Sequence, residues 1–467
     1  MKNHALSRRD LLIGGSTAAI VGAAELNDTA SAAANTYDVI IIGAGSAGIS
    51  AARTVQSYGR SVLVLEAQDR VGGRAYTDNT FPVPFDLGAQ FLGDVATGNN
   101  ILYHIAKAFR LETFSADLVP FGFLNGDPLA FLGTYAAALT ALLTQGELVR
   151  DGLIKDMTID RALKGFQHLP YLDVAVLLLL LQDGADPATS SLLDYFNFSS
   201  HSPAPFVYPP NDTFFLPSGM GNLITRLSSG LPITLNAPVE SISYAGTWIT
   251  IRVAGGRTYN ARKLIVTPSM GVLASGAIAF DPPLPQRYSE AIAALPMGDA
   301  YKAAFTFKKN IFAGHQGVKG RQMNSLIELE GHPGLSVFVN NFGQPMAYFV
   351  ADGALGAGFE SMSEAQAARF FLRILDRYFP GAIAEWTGKV RTTGWLNNPY
   401  TRGCTSFATV GNASARTRLA KPISRKIWFA GEALSITDHS QIQGAWLSGQ
   451  TAAYGALSSL GVAVPQT

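Results

Sequence analysis

Cysteine is almost missing: Cys404 stands alone in 467 residues, so no disulfide can form within the chain. Histidine is scarce too, seven in all, and no Cys or His pair stands at metal-ligand spacing, which argues against a zinc site. Neither sign of charge prevails. Thirty-five Lys and Arg against 34 Asp and Glu leave a formal net charge of +1, no field for a polyanion, and nucleic acid is not an expected partner. Past the N-terminal stretch the longest uninterrupted apolar run is Val174 to Leu181, too short to cross a bilayer. No internal repeat, low-complexity linker, catalytic triad or carboxylate pair is visible. What remains is 48% hydrophobic, 15% charged and rich in glycine, 47 in number, as expected of a globular chain with many tight turns. The length suits two or three domains, or one large two-domain enzyme.

The first residues read as a separate object. Ser7-Arg8-Arg9-Asp10-Leu11-Leu12 precedes a mild apolar run to Ala24 and the small-residue triplet Ala30-Ser31-Ala32. This resembles a twin-arginine export signal, residues 1–32, cleaved near Ala32. About fourteen apolar residues cover about 21 Å of helix, short of a bilayer core of about 30 Å. The expectation is an exported protein, periplasmic or secreted, with no stable membrane span once the signal is gone.

Asp38-Val39-Ile40-Ile41-Ile42 is the β-branched run of a strand buried on both faces. It leads into Gly43-Ala44-Gly45-Ser46-Ala47-Gly48, then a helical stretch to Tyr58, then a second buried strand, Ser61 to Leu65, ending at Glu66. In such a βαβ unit Gly43, Gly45 and Gly48 let the backbone turn and approach a pyrophosphate, which meets the free amides near Ser46 at the helix start. Glu66 and its neighbour Ala67 fall where a carboxylate accepts hydrogen bonds from ribose hydroxyls, which argues against a 2′-phosphate. Arg70-Val71-Gly72-Gly73-Arg74 follows, and its arginines suit a diphosphate.

From here the likeness is specific. With Asp86-Leu87-Gly88-Ala89-Gln90, Gly219-Met220-Gly221-Asn222-Leu223, Ala237-Pro238-Val239, Val266-Thr267-Pro268-Ser269, Trp428-Phe429-Ala430-Gly431-Glu432 and Gln443-Gly444-Ala445-Trp446, all in order, the chain resembles the flavin-containing amine oxidases from Tyr37 to about Leu460. The resemblance implies an α/β fold of two interleaved domains. A Rossmann-like FAD domain would comprise 36–98, 206–295 and 390–462, and a mixed sheet-plus-helices substrate domain 99–205 and 296–389. It implies FAD as cofactor, with Gly88, Ala89 and Gln90 beside the flavin ring, Val239 meeting the adenine, Gly431 and Glu432 near the ribityl-phosphate, and Gln441 and Ile442 lining the same site.

For chemistry the resemblance singles out Lys302, in Met297-Gly298-Asp299-Ala300-Tyr301-Lys302-Ala303, as the lysine that holds a water against flavin N5. Trp395 matches a family tryptophan near the flavin. Cys404 matches the monoamine oxidase cysteine that forms a thioether to FAD, although polyamine oxidases usually have serine there. Thr405 and Gln441 stand where monoamine oxidases place two tyrosines, so that aromatic cage is absent. Gly93-Asp94 replaces a polyamine oxidase histidine, and Asp94 either anchors a distant ammonium or is an exposed loop residue. Gln90-Phe91 offers no arginine for a carboxylate. The implied reaction takes hydride from the amine α carbon and reduces O2 to H2O2. A flavin dehydrogenase or desaturase with another acceptor, an L-amino acid oxidase, and a non-catalytic flavin-binding module stay open. The substrate pocket is expected mainly from the helical block between Asn100 and Phe198. The amine and the oligomeric state are not legible.

Overall fold

The computed structural model describes residues 36–465, apart from 94, 96, 97, 99, 117, 118, 120, 181–183, 200–212, 316, 317 and 319–322. The twin-arginine stretch and Asp94 therefore lie outside the described residues.

Thr36–Ile42 forms the central strand of an eight-stranded sheet, and its last four residues are buried, as the unbroken β-branched run requires. Val62–Leu65 and Thr258–Val266 pair with it in parallel, one on each side, and Ile427–Phe429 pairs in parallel with Thr258–Val266. An antiparallel extension through Ile249–Val253 and Val239–Ser243 follows, and Ala279–Asp281, parallel to the latter, completes that edge. The helix Ser46–Ser57 crosses to the second strand, and the C-terminal helix Ile442–Ser459 packs against it. Gly449 permits that crossing, since a Cβ there would lie 2.0 Å from the Ala47 carbonyl oxygen.

A second, six-stranded sheet runs in the order Trp386–Thr392, Ala300–Phe307, Met346–Asp352, Ser336–Val339, Asn324–Ile327, Phe121–Phe123. All neighbours are antiparallel except the last pair. Residues 390–392, which the sequence division assigns to the FAD domain, thus belong to the second sheet. The amphipathic helix Glu364–Tyr378 covers one face, burying Phe371, Leu372 and Leu375, and a Ser363–Gln366 capping box fixes its start. The other face is free to build a cavity.

The helical block centres on Pro128–Arg150, started by the Asp127 side chain accepting from the amides of Leu129 and Ala130. By length and composition this helix is apolar enough to cross a membrane. Counting uninterrupted apolar runs misses it because Gly133, Thr134 and Thr140 break the run without breaking the helix. It buries Phe131, Tyr135, Ala138 and Leu142 in a core shared with helices Leu172–Leu179 and Leu192–Ser199.

Candidate active site

Between the two sheets lies a cavity of about 870 Å³, within the range usual for ligand pockets. One end is the nucleotide-type βαβ turn. Gly43, Gly45, Ser46, Glu66, Ala67, Gly73 and Val239 all line it. The helix beginning at Ser46 has no side-chain cap, so its first amides are left for an anion. Gly48 stands outside the wall and is needed for packing: a Cβ there would lie 1.9 Å from the Gly43 carbonyl oxygen. Glu66 is buried, and its carboxylate accepts from the amides of Ala44 at 2.6 Å and Gln68 at 2.9 Å, which fixes the loop shape.

The two arginines are spent differently from what the motif suggests. Arg70 is not among the residues that line the cavity; its guanidinium lies over the Tyr76 ring at 4.0 Å and donates to the Gly73 carbonyl at 2.9 Å. Arg74 lines the wall but is paired with Glu432 at 3.0 Å. Glu432 is buried, with its other oxygen taking Ser406 Oγ–H at 2.7 Å and the Ser440 amide at 3.0 Å. Burial raises its pKa, yet the charges of Arg74 and Arg416 outweigh that and hold the carboxyl below its ordinary value. The backbone amides, more than a bare arginine, are what this end offers to a diphosphate.

At the other end, the turn Gly88-Ala89-Gln90 is fixed from both sides. Asp86 accepts from Thr77 Oγ1–H and from the amide of Met220, which opens the helix Met220–Ser228. Burial pushes the Asp86 carboxyl up to about 6, against those hydrogen bonds and Lys302. A Cβ on Gly88 would lie 1.7 Å from the Arg74 carbonyl oxygen and 3.1 Å from the Trp395 ring. Trp395 is therefore the backing of the turn, its Nε1–H 3.4 Å from the Leu87 carbonyl, and not part of the cavity wall. Gly88→Ala must push the turn into the cavity; flavin affinity, followed by titrating the apoprotein with FAD, is expected to fall at least about tenfold, a loss of about 1.4 kcal/mol.

Lys302 lies on the cavity face of the second sheet and is 8% exposed. Its ammonium donates to the carbonyls of Asp86 at 2.8 Å and Gly88 at 2.9 Å and to Gln90 Oε1 at 2.9 Å, so all three protons have oxygens. Burial is the largest influence on it and pushes its pKa down to about 8, partly offset by Asp86, Cys404 and Asp352. The register sets its neighbours. Lys302 pairs with Val350, and Val350 with Ser336; the next rank is Ala304, Tyr348, Phe338 and Ser325; on the other side Ala300 pairs with Asp352. Phe338 stacks on Tyr348 at 4.7 Å and 4°, and Tyr348 Oη accepts from Gln90 Nε2. With Phe91 and Phe215 lining the same space, one side of Lys302 is aromatic and the other carries a carboxylate.

Thr405, Gln441, Ile442, Gly431 and Cys404 also line the cavity. Burial pushes the Cys404 thiol up to about 12 despite nearby Arg74, so the nucleophilic thiolate is suppressed. Sequence reading missed Ser325, Ser336, Phe338, Val350 and Asp352. The available signal was parity: Ser336 and Phe338, Val350 and Asp352, Ala300 and Lys302 are each two apart, as residues on one sheet face must be. The expectation that the helical block builds the pocket is corrected. From 100–198 only Ala116 and Val119 line the cavity among the described residues, and neither is on an α-helix. The helices spend their apolar faces on one another.

The residues fit a flavin dinucleotide on structural grounds: glycines whose Cβ atoms would collide, an uncapped helix start, and a buried cation where a ring would end. Comparison with known proteins agrees. A family model described as flavin containing amine oxidoreductase matches residues 46–121 and 210–457. The chain is 28% identical over 444 residues to polyamine oxidase 2 of Arabidopsis thaliana, covering 89% of this chain and 87% of that one. It is 26% identical to lysine-specific histone demethylase 1B of Mus musculus, covering 88% of this chain and 52% of that protein. In fold it matches cyclohexylamine oxidase from Brevibacterium oxydans IH-35A, with TM-score 0.76, 23% identity and coverage of 91% and 99%. A putrescine oxidase redesigned in its cofactor binding matches with TM-score 0.75, 19% identity and coverage of 91% and 99%. With more than half of its length matched, the chain belongs to the flavin-containing amine oxidoreductase family.

Proposed function

We propose that the protein binds FAD in this cavity and oxidises an amine whose substituent is largely apolar, passing the electrons to O2 to give H2O2. The bound flavin supplies a two-electron acceptor. The protein supplies the rest. Amides at Ser46 and the loop held by Glu66 bind the diphosphate end, with Val239 beside the adenine. The turn at Gly88 to Gln90 shapes the ring end. Phe91, Phe215 and Phe338 exclude water and orient the amine, and Lys302 presents a cation in a dry site, where a fixed charge acts most strongly. The observation that carries this reading is the Lys302 ammonium, buried and aimed across the cavity at three oxygens of the Asp86–Gln90 segment.

The aromatic rank favours monoamines with alkyl or aryl groups over polyamines, and the suppressed Cys404 thiol favours FAD held without a covalent bond. The division into 36–98, 206–295 and 393–462 for cofactor and 99–205 and 296–392 for substrate, with the last boundary moved to the end of the second sheet's edge strand, and export through residues 1–32, belong to the same proposal. The test is an anaerobic screen of mono-, di- and polyamines against the purified protein, followed by flavin absorbance. Bleaching by an apolar monoamine, peroxide on admitting air, and full release of FAD on acid precipitation are expected. Flavin that no amine bleaches would reduce the chain to a binding protein.

A further inference from the structure

Two groups on the Asp352 side of Lys302 have no place in the chemistry so far. Asp352 lines the cavity, is 7% exposed, and its Oδ2 receives no hydrogen bond. Behind it, Asp299 is 4% exposed and neither carboxylate oxygen has a protein donor. The backbone ties the two together, since the Gly353 amide donates to the Asp299 carbonyl at 2.9 Å. The side chain placed to bond Asp299 is Glu360, another carboxyl, and two carboxyls bond only through a shared proton. Glu360 in turn reaches the surface, accepting from the amides of Leu396 at 2.9 Å and Asn397 at 3.0 Å, and Leu396 is 41% exposed.

Buried carboxyl oxygens without donors cost stability, so Asp352 and Asp299, with the half-buried Glu360 leading on to the surface, call for a use. We propose that Asp352, Asp299 and Glu360 form a proton path joining the cavity floor beside Lys302 to solvent at Leu396–Asn397. The proposal rests on the reading of the cavity as an amine-oxidising site. There the balance demands such a path. In the first half-reaction R–CH2–NH3+ becomes R–CH=NH2+ with loss of one hydride and one proton; the hydride carries two electrons to the flavin, and the proton must leave the amine for another group. In the second, O2 takes that hydride and one proton to become H2O2, so a proton must return.

The electrostatics suit carriers that change state near neutrality. Burial first, then Glu360, pushes Asp299 up to about 7, and burial raises Asp352 well above the ordinary carboxylate range, with Lys302 opposing and Asp299 adding to it. The other groups facing the path are Cys404, which feels both aspartates, and Tyr301, which faces Glu360 and Glu364.

Two measurements on the FAD-loaded enzyme test the path. Difference infrared spectroscopy across a pH titration is expected to show a buried carboxyl titrating near pH 7 that Asp299→Asn removes and Glu360→Gln shifts to lower pH. In stopped flow with an indicator dye under anaerobic conditions, proton release keeps pace with flavin bleaching in the wild type. In Asp299→Asn and Asp352→Asn it is expected to lag bleaching by about a hundredfold, the low end of what positioned proton transfer contributes, and Asp299→Glu is expected to restore it. If no buried carboxyl of the wild type titrates between pH 6 and 8, or if both asparagine variants release the proton in step with bleaching, the path does not exist. Should no amine bleach the flavin, the functional reading fails instead, and the infrared titration decides the path without it.

Discussion

Lys302→Met is expected to yield a folded, flavin-binding protein in which amine oxidation or reoxidation by O2 slows at least about tenfold, a loss of about 1.4 kcal/mol of transition-state stabilisation. Methionine fills the same space without the charge. The carbonyls of Asp86 and Gly88 and the Gln90 amide oxygen then lose their donor, which costs about 1–3 kcal/mol unless water replaces it. A pH signature separates charge from packing. Burial holds the Lys302 ammonium at about 8, so the wild-type rate that depends on the cation falls above that pH, and the variant's slower rate lacks this limb. Stability moves the other way. Because the folded pKa is below the unfolded value of 10.5, the penalty for a buried cation is fully present below about 8 and is relieved as pH rises towards 10.5. Denaturation of wild type and variant across that interval checks the sign. Unchanged rates for both half-reactions in stopped flow would remove Lys302 from the site.

Arg416→Met is expected to be the most destabilising single change. Arg416 is fully buried and grips Asp194 through two bonds, Nε to Oδ1 at 2.8 Å and Nη2 to Oδ2 at 2.7 Å, with Nη1 donating to Ser406 Oγ and the Ala433 carbonyl at 3.0 Å. Asp194 sits on the helix Leu192–Ser199, so this clamp fastens the helical block to the cofactor-side loops. Removing the cation strands a buried carboxylate, and such losses run to about 3–5 kcal/mol. Denaturant unfolding measures it, and the double change Asp194→Leu with Arg416→Met is expected to recover a large part. Burial works against the Asp194 charge, but His439 and Arg416 outweigh it and hold the carboxyl at about 2. The clamp's contribution is therefore present above the ordinary carboxylate value of 3.8 and lost as pH falls from there towards 2. An acid-unfolding midpoint identical in Arg416→Met and wild type would refute it.

How much of this was legible in the sequence follows the range of the interactions. The Asp38–Ile42 strand, the glycine turn and Glu66 are local, and the structure sets them where their pattern says. Gly88 and Lys302 were legible as motifs, yet the reason they matter is not local: one touches Arg74 and Trp395, the other reaches across to the Asp86–Gln90 segment. Arg70 and Arg74 look alike in sequence, and only folding turns one onto Tyr76 and the other onto Glu432. The clamp of Asp194 and Arg416, 222 positions apart, leaves no pattern at all. Ser336, Phe338 and Asp352 were hidden because strand parity says which residues share a face but not which sheet lies opposite.

The first strand and helix meet the last helix at Gly449, where backbone touches backbone, and Ser46 Oγ–H donates to the Ile442 carbonyl. Gln441, Ile442 and Ala445 belong to the wall that the opening residues begin. During synthesis, therefore, the emerging chain carries half a binding site for nearly its whole length. Cofactor capture must wait until the C-terminal helix has cleared the ribosome and folded back onto residues made at the start.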